Sequence, residues 1–430
     1  MKSLLKKIVV TVLTWQARVI LKKYKPKIAA VTGSVGKTST KDAIYSVLSE
    51  FFFVRKSQKS YNSEIGVPLA ILGRPNAWGN VFQWLKNVYE GFALIFLPNK
   101  YPEWLVLEIG ADRPGDIQKI ADWVKPDIAV MTRLSQVPVH VEFFRSVSEV
   151  ILEKSFLIRS LKYDGTVILN SDDEDVLAFQ GLVESKKILY GTKNPAQVSG
   201  NNFKIEYGEN REPRGISFTA LYDNESAEVF IKGSLGIQQM YPALAAISVG
   251  VSLNLSFKKM AKILEEYNSP PGRMKLMKGI KNSVIIDDSY NSSPVALEEA
   301  LKALKLLKVK GKKIAILGDM LELGIHSTGA HKKAGEQVAR AADVLITSGI
   351  RARFFAEGAL TTGMPENNIF QFDDSRDAGK FSETLIEEGD VILIKGSQSS
   401  RMERAVEEIM AQPENKTKLL VRQEKEWVKR

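Results

Sequence analysis

The six residues from Gly33 to Thr38, Gly-Ser-Val-Gly-Lys-Thr, have the composition of a loop that binds nucleotide phosphates. Its glycines let backbone N–H groups approach phosphate oxygens, and a helix that begins here adds favourable partial charge. Lys37 can reach the outer phosphates and Thr38 can hold Mg²⁺, although the complete pattern needs glycine where this chain has Val31. The sequence therefore predicts a nucleotide site formed by Gly33, Ser34, Gly36, Lys37, Thr38 and Ser39.

The loop lies between a short apolar run and a helical stretch, and this alternation continues along the chain. Strands that alternate with helices are typical of a parallel sheet with crossover helices. The predicted strands are residues 28–32, 104–109, 128–132, 166–170 and 187–190. Residues 200–233 differ, because alternating apolar and polar residues predict two or three antiparallel strands there. Helices are predicted over about residues 238–253 and 256–267.

The strongest break in the chain is Ser-Pro-Pro-Gly at residues 269–272, and a second β/α series follows it. Its predicted strands are residues 284–288, 313–318, 343–348, 368–372 and 390–395. The predicted fold is therefore α/β, with a P-loop-type, mostly parallel central domain that carries an antiparallel sub-sheet, and a Rossmann-like C-terminal domain. The predicted divisions are a basic apolar helix at 1–27, a central domain at 28–271 and a C-terminal domain at 272–430.

Composition excludes several classes of site. A chain of 430 residues is too long for one core and indicates two or three domains. Without cysteine there are neither disulfides nor thiolate zinc sites, which fits a reducing cytoplasm. The three histidines, His140, His326 and His331, are too few for a histidine-rich metal cluster.

The positive charge of the chain is concentrated at its N-terminus. The net charge is +10, and eight basic residues precede residue 28, whereas the first acidic residue is Asp42. Because the remainder is nearly balanced, we expect no nucleic-acid partner. The apolar run 8–21 contains Gln16 and Arg18 and is too short to span a bilayer. Two interpretations remain: a basic helix resting on anionic lipid, or a helix packed on the protein with solvated lysines.

A second apolar helix is predicted where a short connection is expected. Apolar residues recur at helical spacing between residues 81 and 96, which indicates an inserted helix. The residues predicted to share one face are Val81, Trp84, Leu85, Val88, Phe92, Ile95 and Phe96. This helix is expected either to cover the N-terminal helix or to make peripheral contact with a membrane, together with residues 1–27.

Six segments in order resemble the signatures of the Mur ligase family. They are residues 33–38, 61–68, 107–117, 286–294, 317–324 and 395–403. The resemblance covers roughly residues 28 to 410. It implies an ATP-dependent, ADP-forming peptide ligase of peptidoglycan precursor synthesis, in which ATP phosphorylates a carboxylate and an amine then displaces phosphate. The three C-terminal segments resemble the branch that joins a D-alanyl-D-alanine-like dipeptide amine to a UDP-muramoyl-peptide-like carboxylate.

The resemblance also implies roles for residues outside the loop. Thr38 and Glu108 match Mg²⁺ ligands of the family. His140 matches a histidine that is a second metal ligand. His140 and Lys37 are both expected to be catalytic. Lys154 matches a catalytic lysine that CO₂ converts to N6-carboxylysine. Gln239, Arg273 and Asp288 match residues that contact the nucleotide in the family. The expected substrate contacts are Tyr290, Asn291, Lys395, Ser397 and Arg401, the last three of which could equally be structural.

Two departures from the family pattern stand out. The family's Gly-x-His-Asn-x-x-Asn-Ala pattern near adenine becomes Gly236-Ile-Gln-Gln-Met-Tyr-Pro-Ala243, with glutamine in place of His and Asn. The branch that adds D-alanyl-D-alanine carries a UDP-binding domain before the phosphate loop, whereas this sequence has about 27 residues there. We therefore expect the central and C-terminal catalytic parts without that domain.

Two alternative functions remain. One is an ATP-dependent ligase for another carboxylate, such as a poly-γ-glutamate or folate-type substrate, which the segments 287–294 and 395–403 disfavour. The other is a non-catalytic membrane-surface protein with this fold. The presence of every residue type that the chemistry needs disfavours it: Lys37, Thr38, Glu108, His140 and Lys154.

Overall fold

The computed structural model describes residues 3–58, 61–135 and 140–428. Among these residues, the N-terminal part contains nine strands, which form one sheet, and nine α-helices. They are α1 (Ser3–Tyr24), β1 (Lys27–Thr32), α2 (Lys37–Ser49), β2 (Val54–Lys56), α3 (Gly66–Leu72), α4 (Val81–Phe96), β3 (Trp104–Glu108), α5 (Asp116–Val124), β4 (Ile128–Met131), α6 (Val147–Arg159), β5 (Thr166–Asn170), α7 (Glu174–Leu177), β6 (Lys186–Gly191), β7 (Val198–Tyr207), β8 (Pro213–Tyr222), β9 (Glu225–Lys232), α8 (Met240–Ser252) and α9 (Phe257–Glu265).

The strand order of this sheet is β2-β3-β1-β4-β5-β6-β7-β8-β9. Every pair from β2 to β7 is parallel, and β8 and β9 are antiparallel additions. The predicted antiparallel strands therefore extend the central sheet and do not form a separate layer. The apolar helix α8 is buried along nearly its whole length, because it packs between α2, α9 and the sheet.

The C-terminal part has a second, six-stranded sheet of order β10-β11-β15-β12-β13-β14. Only the edge strand β10 is antiparallel, and the sequence pattern did not reveal it. The elements are β10 (Lys275–Lys278), β11 (Val284–Asp288), α10 (Pro294–Leu306), β12 (Lys313–Gly318), α11 (Ser327–Val338), β13 (Val344–Ser348), α12 (Arg353–Thr361), β14 (Ile369–Phe372), α13 (Ser375–Leu385), β15 (Val391–Lys395), α14 (Glu403–Ile409), α15 (Lys416–Leu419) and α16 (Lys425–Val428). This architecture confirms the predicted fold class.

The N-terminal helix α1 packs on the body of the protein. Leu13, Ala17 and Ile20 are fully buried against α3 and α4. Within the described residues, no helix is long and apolar enough to cross a bilayer.

The inserted helix α4 differs from its prediction, because the residues predicted to share one face are divided between a buried and an exposed face. Trp84 is buried, whereas Leu85, Phe92 and Phe96 are exposed. The buried face of α4 consists of Trp84, Asn87, Gly91 and Leu94. Two of these four inward positions are therefore polar or small, namely Asn87 and Gly91. Apolar residues cover the opposite, outward face.

Candidate active site

The phosphate loop connects β1 to α2, and two glycines determine its path. Gly33 lies where β1 passes close to the end of β4, so a Cβ atom there would come 2.0 Å from Thr132 Oγ1. Gly36 has φ 86° and immediately precedes α2, a left-handed conformation that favours glycine. No side chain caps the first turn of α2, so its N–H groups remain available for an anion.

The loop places Thr38 beside a buried acid. The Oγ1 of Thr38 donates to Glu108 Oε2 over 2.9 Å, and Asn62 Nδ2 donates to Glu108 Oε1 over 3.0 Å. Glu108 is the last residue of β3 and is 1% exposed. The hydroxyl and the carboxylate are hard oxygen donors, which suit Mg²⁺. Asn62 lies within a family-like segment, but its contact with Glu108 could not be read from the sequence.

Two lysines converge behind the loop. Lys37 Nζ and Lys154 Nζ both donate to the carbonyl oxygen of Gly33, over 2.9 and 3.2 Å. Burial, and to a smaller extent the neighbouring positive charge of Lys37, lowers the pKa of Lys154 to about 7. Burial also lowers the pKa of Lys37, although Glu108 partly opposes this effect. Lys154 therefore has an amine that is partly neutral near pH 7.

Arg273 reaches the phosphate loop from the far side of the cleft. Its Nη2 donates to Thr38 Oγ1 over 3.3 Å, and its guanidinium carbon lies 4.0 Å from the centre of the Tyr290 ring. A cation against an aromatic face is favourable and fixes the direction of the side chain. Tyr290 thus lies close to the phosphate loop and supports Arg273.

His140 joins the two halves of the molecule. Its Nδ1 lies 2.6 Å from Glu322 Oε2 in the C-terminal half, and its Nε2 lies 3.4 Å from Asp112 Oδ1. The hydrogen bond from His140 lowers the pKa of the Glu322 carboxyl. His140 lines the same polar cavity as Lys37, Thr38 and Glu108. The segment 136–139 that precedes it lies outside the described residues.

Asp288 and Lys395 form a buried ion pair. Lys395 Nζ lies 2.6 Å from Asp288 Oδ2 and donates over 2.8 Å to the carbonyl oxygen of Asn291. Asp288 also accepts from the N–H of Met274, next to Arg273. The neighbouring Asp287 accepts from the N–H groups of Gly272 and Ser289, and burial raises its pKa to about 6.

The two predicted amine contacts beyond Lys395 lie apart. Ser397 Oγ accepts from the N–H of Leu321 over 2.8 Å, and Ser397 lines the cavity that holds Thr38 and Glu108. Arg401 pairs with Glu403 over 2.6 Å and donates to the carbonyl oxygen of Trp427. It lines a separate polar cavity of about 260 Å³ with Asp319. The structure therefore does not bring Arg401 together with the phosphate loop.

Gln238 and Gln239 are the glutamines that replace the His and Asn of the family pattern, and they lie on the Ser34 side of the phosphate loop. Gln238 and Gln239 line a cavity with Ser34, Ser39 and Asp288. Gln239 Nε2 donates to the carbonyl oxygen of Arg273 over 3.4 Å. Among the described side chains, Gln238 Oε1, Gln239 Oε1 and Ser34 Oγ are buried without a hydrogen-bond partner. Such amide oxygens suit the amino group of adenine, and the hydroxyl suits a phosphate.

The C-terminal tail, residues 416–428, contributes residues that sequence reasoning missed. Arg422 is 6% exposed, forms an ion pair with Glu403 over 2.6 Å and donates to the carbonyl oxygens of Ser289 and Tyr290. Trp427 meets Trp78 edge-on at 6.1 Å. The tail therefore holds the segment that presents Tyr290 to Arg273. No signal could have identified it, because the family resemblance ends near residue 410.

Three cavities form one continuous cleft. The glutamine end shares Ser34, Gly36, Arg273 and Asn291 with a polar cavity of about 360 Å³ around Thr38 and Glu108. That cavity shares Thr38, Arg273 and Tyr290 with a larger one of about 570 Å³, which is lined by Trp78, Trp427 and other apolar residues. The glutamine end, a cavity of about 120 Å³, thus leads through a cationic, oxygen-rich centre into a larger space on the far side.

The order of these motifs and their convergence on one cleft match a known family. A model of the Mur ligase middle domain matches residues 31–82 and 89–250, and a model of the Mur ligase glutamate ligase domain matches residues 272–398. The chain belongs to the Mur ligase family. This confirms the family and the enzyme class, a ligase, that the sequence predicted.

Individual Mur ligases resemble the chain over most of its length. The UDP-N-acetylmuramoyl-tripeptide–D-alanyl-D-alanine ligase of Bacillus subtilis (strain 168) is 29% identical over 404 residues, which cover 94% of this chain and 80% of that protein. The ligase of the same name from Escherichia coli (strain K12) is 27% identical over 88% of this chain and 76% of its own. The crystal structure of MurF ligase from Thermotoga maritima in complex with ADP superposes with a TM-score of 0.76 at 26% identity, covering 93% of this chain and 83% of that one.

Proposed function

We propose that this Mur ligase uses ATP to join the amino group of a dipeptide such as D-alanyl-D-alanine to the carboxylate of a UDP-muramoyl-peptide-like acceptor. ADP and phosphate are the other products, and the amide enters peptidoglycan precursors. The observation that carries the proposal is the convergence of Lys37, Thr38, Glu108 and Arg273 between two cavities. The names of the relatives supply the substrate class.

In the proposed mechanism, the cleft stabilises negative charge in two successive steps. A carboxylate oxygen of the acceptor attacks the γ-phosphorus of ATP, the bond to the bridging oxygen breaks, and an acyl phosphate and ADP result. The amine then attacks the acyl carbon, loses a proton and expels phosphate. Lys37, Arg273 and the uncapped N–H groups of α2, which all lie at the phosphate loop, would bind the phosphate oxygens that carry the charge. Positioning and electrostatic stabilisation therefore provide most of the catalysis.

We assign the Mg²⁺ site to Thr38 and Glu108. Their oxygens lie 2.9 Å apart and are already directed toward each other, which supports a shared cation. Mg²⁺ would neutralise charge on the phosphates. His140 fits a second position at the same cavity, although here its ring pairs with Glu322 and Asp112. Within the described residues, no group of three or more His, Asp or Glu lies close enough to hold a metal ion.

We assign a carbamate to Lys154. Its neutral amine can attack CO₂ to form a C–N bond with loss of one proton, which gives N6-carboxylysine. Two lysine amines share the carbonyl oxygen of Gly33, and the charge of Lys37 opposes protonation of Lys154; the conversion would replace this repulsion with an attraction between Lys37 and the new carboxylate. ¹³C NMR after incubation with labelled bicarbonate should give a carbamate signal that Lys154→Arg abolishes. A signal that persists in the variant would contradict this assignment.

The remaining predicted contacts are proposed as follows. Gln239, Ser34, Ser39 and Asp288 bind or border the nucleotide, and Asn291, Tyr290 and Ser397 border the substrate side. We propose that Lys395 orders the cleft, which its buried pair with Asp288 supports. Arg401 remains a proposed amine contact, although it lines a separate cavity. We retain the divisions 1–27, 28–271 and 272–430 as proposed domains. A cytoplasmic location, with peripheral contact at the inner face of the membrane through residues 1–27 and 81–96, belongs to the same proposal.

A phosphate-release assay tests the reaction. Purified protein with ATP and Mg²⁺ is given UDP-muramoyl tripeptide, D-alanyl-D-alanine, both or neither. Sustained release that requires both substrates supports the proposal, and equal release without the dipeptide contradicts it. Lys37→Ala should abolish release, whereas Lys310→Ala, at an exposed lysine outside the cleft, should leave it unchanged.

A further inference from the structure

The outward face of α4 is an exposed apolar surface. Phe82 is 84% exposed, and Tyr89 and Phe96 are each 73% exposed. The same face carries Val81, Leu85, Phe92 and, just beyond the helix, Leu97. Isolated exposed apolar residues are ordinary, but a row of them along the whole of a 16-residue helix indicates a surface that something else covers.

Hydrogen bonds on the inward face fix this orientation. Asn87 Nδ2 donates to the carbonyl oxygen of Pro75 over 2.8 Å, and Gln16 Nε2 of α1 donates to that of Val88 over 2.8 Å. Gly91 packs so closely on Gln16 that a Cβ atom would lie 2.3 Å from its Oε1. Turning α4 over would leave these buried polar groups without partners, so the apolar face must point outward.

Helix α1 extends this surface. Trp15, which is 48% exposed, lies 5.9 Å from Phe92 between ring centroids, and Ile8 is 53% exposed. We call the combined patch the outer face. It consists of Ile8, Trp15, Val81, Phe82, Leu85, Tyr89, Phe92, Phe96 and Leu97. Tryptophan and tyrosine with exposed rings are typical of surfaces that lie at a membrane–water interface.

Taken together, the two helices that carry the outer face are basic. The exposed cations of α1 and α4 include Lys7, Arg18, Lys22 and Lys86. The two helices contain a single acidic residue, Glu90, whose charge is paired with Arg74 over 2.6 Å. Excess positive charge beside an apolar face is complementary to anionic lipid.

We infer that the outer face docks this Mur ligase on an anionic bilayer, with α1 and α4 lying in the plane of the interface. The inference deepens the proposed membrane contact by naming the surface and the lipid charge. A second copy of the chain fits less well, because a symmetric dimer would bring the cations of α1 and α4 against their own copies. Residues 83–88, within α4, lie between the two segments that the middle-domain model matches.

Vesicle flotation tests the docking. The full chain is mixed with vesicles of phosphatidylcholine alone or with about a third phosphatidylglycerol. Phe82→Gln, Leu85→Gln and Phe96→Gln together should lower the partition coefficient on anionic vesicles by at least about tenfold. The matched control replaces two equally exposed isoleucines elsewhere, Ile325→Gln and Ile350→Gln, and should float like the unaltered protein.

A charge variant separates lipid charge from apolar contact. Lys7→Gln with Lys22→Gln should weaken flotation on anionic vesicles severalfold, whereas Lys308→Gln with Lys310→Gln should not. Equal flotation of the outer-face variant and the unaltered protein, or equal binding to neutral and anionic vesicles, would overturn the inference. A concentration-dependent dimer that the outer-face variant abolishes, without vesicle binding, would also overturn it. Phosphate release needs no vesicles, so the proposed reaction stands or falls separately.

Discussion

Replacing Lys154 by methionine should raise the free energy of unfolding but abolish phosphate release. Burial lowers the pKa of this lysine from 10.5 to about 7. A change of that size corresponds to a penalty of about 5 kcal/mol on its charged form. At pH 7 about half of the amine is neutral, against about one in 3,000 for an ordinary lysine. The same burial that makes the amine reactive toward CO₂ therefore costs folding free energy.

The sign of the pH dependence follows from the lowered pKa. Between pH 7 and 10 the unfolded state binds the proton more tightly than the folded state, so stability rises with pH over this window. Below pH 7 both states are protonated and the penalty is constant. In CO₂-free buffer, Lys154→Met should therefore be more stable than the unaltered protein by about 2–5 kcal/mol at pH 6, and the difference should shrink by pH 9.

Urea denaturation of both proteins at pH 6 and pH 9 measures this difference, and phosphate release in bicarbonate measures activity. We expect activity to fall by at least about a hundredfold in Lys154→Met. A variant that is less stable at pH 6 and shows the same deficit at pH 9 would refute the reasoning about burial. A stable variant with full activity would refute the catalytic role and leave the burial argument intact.

Three further predictions concern other parts of the cleft and fold. Glu108→Gln keeps the size of the side chain but removes its charge and one of its two acceptor oxygens, so the Mg²⁺ concentration for half-maximal phosphate release should rise by at least about tenfold, which a titration measures. Arg422→Met should raise the KM for ATP severalfold through the loosened support of Arg273, and Arg422→Lys should restore it only in part; an unchanged KM would show that the tail does not position the cleft. Gly358→Ala should lower the thermal midpoint, at a cost of about 1–3 kcal/mol, because its Cβ would lie 2.0 Å from the carbonyl oxygen of Lys332; calorimetry checks this.

The sequence predicted most strands and the phosphate loop because each depends on local pattern. A buried parallel strand reads as a short apolar run, and β5, β11 and β12 begin and end where this signal does. The edge strand β10 was missed because its residues Lys275–Lys278 are only partly buried and carry no continuous apolar run. Its pairing with β11 depends on tertiary contacts.

Side-chain partners were less accessible to sequence reasoning. The motif order assigned Glu108 and Arg273, but nothing local indicates that Arg273 lies on Tyr290 or that Arg422 holds Tyr290 in place. The face of α4 was misread for a related reason. Helical spacing identifies apolar rows, whereas the choice of the inward face depends on tertiary partners: Gln16 in α1 packs on Gly91, and Asn87 donates to the carbonyl oxygen of Pro75.

The central claim is that ATP cleavage and amide formation are joined by an acyl phosphate in this cleft. An acceptor whose reacting carboxylate is labelled with ¹⁸O tests this claim directly, with the released phosphate analysed by mass spectrometry. Because a carboxylate oxygen attacks the γ-phosphorus and the amine later breaks the acyl C–O bond, the account predicts one ¹⁸O atom in each phosphate formed with product. Phosphate released without label, at a rate equal to product formation, would contradict it.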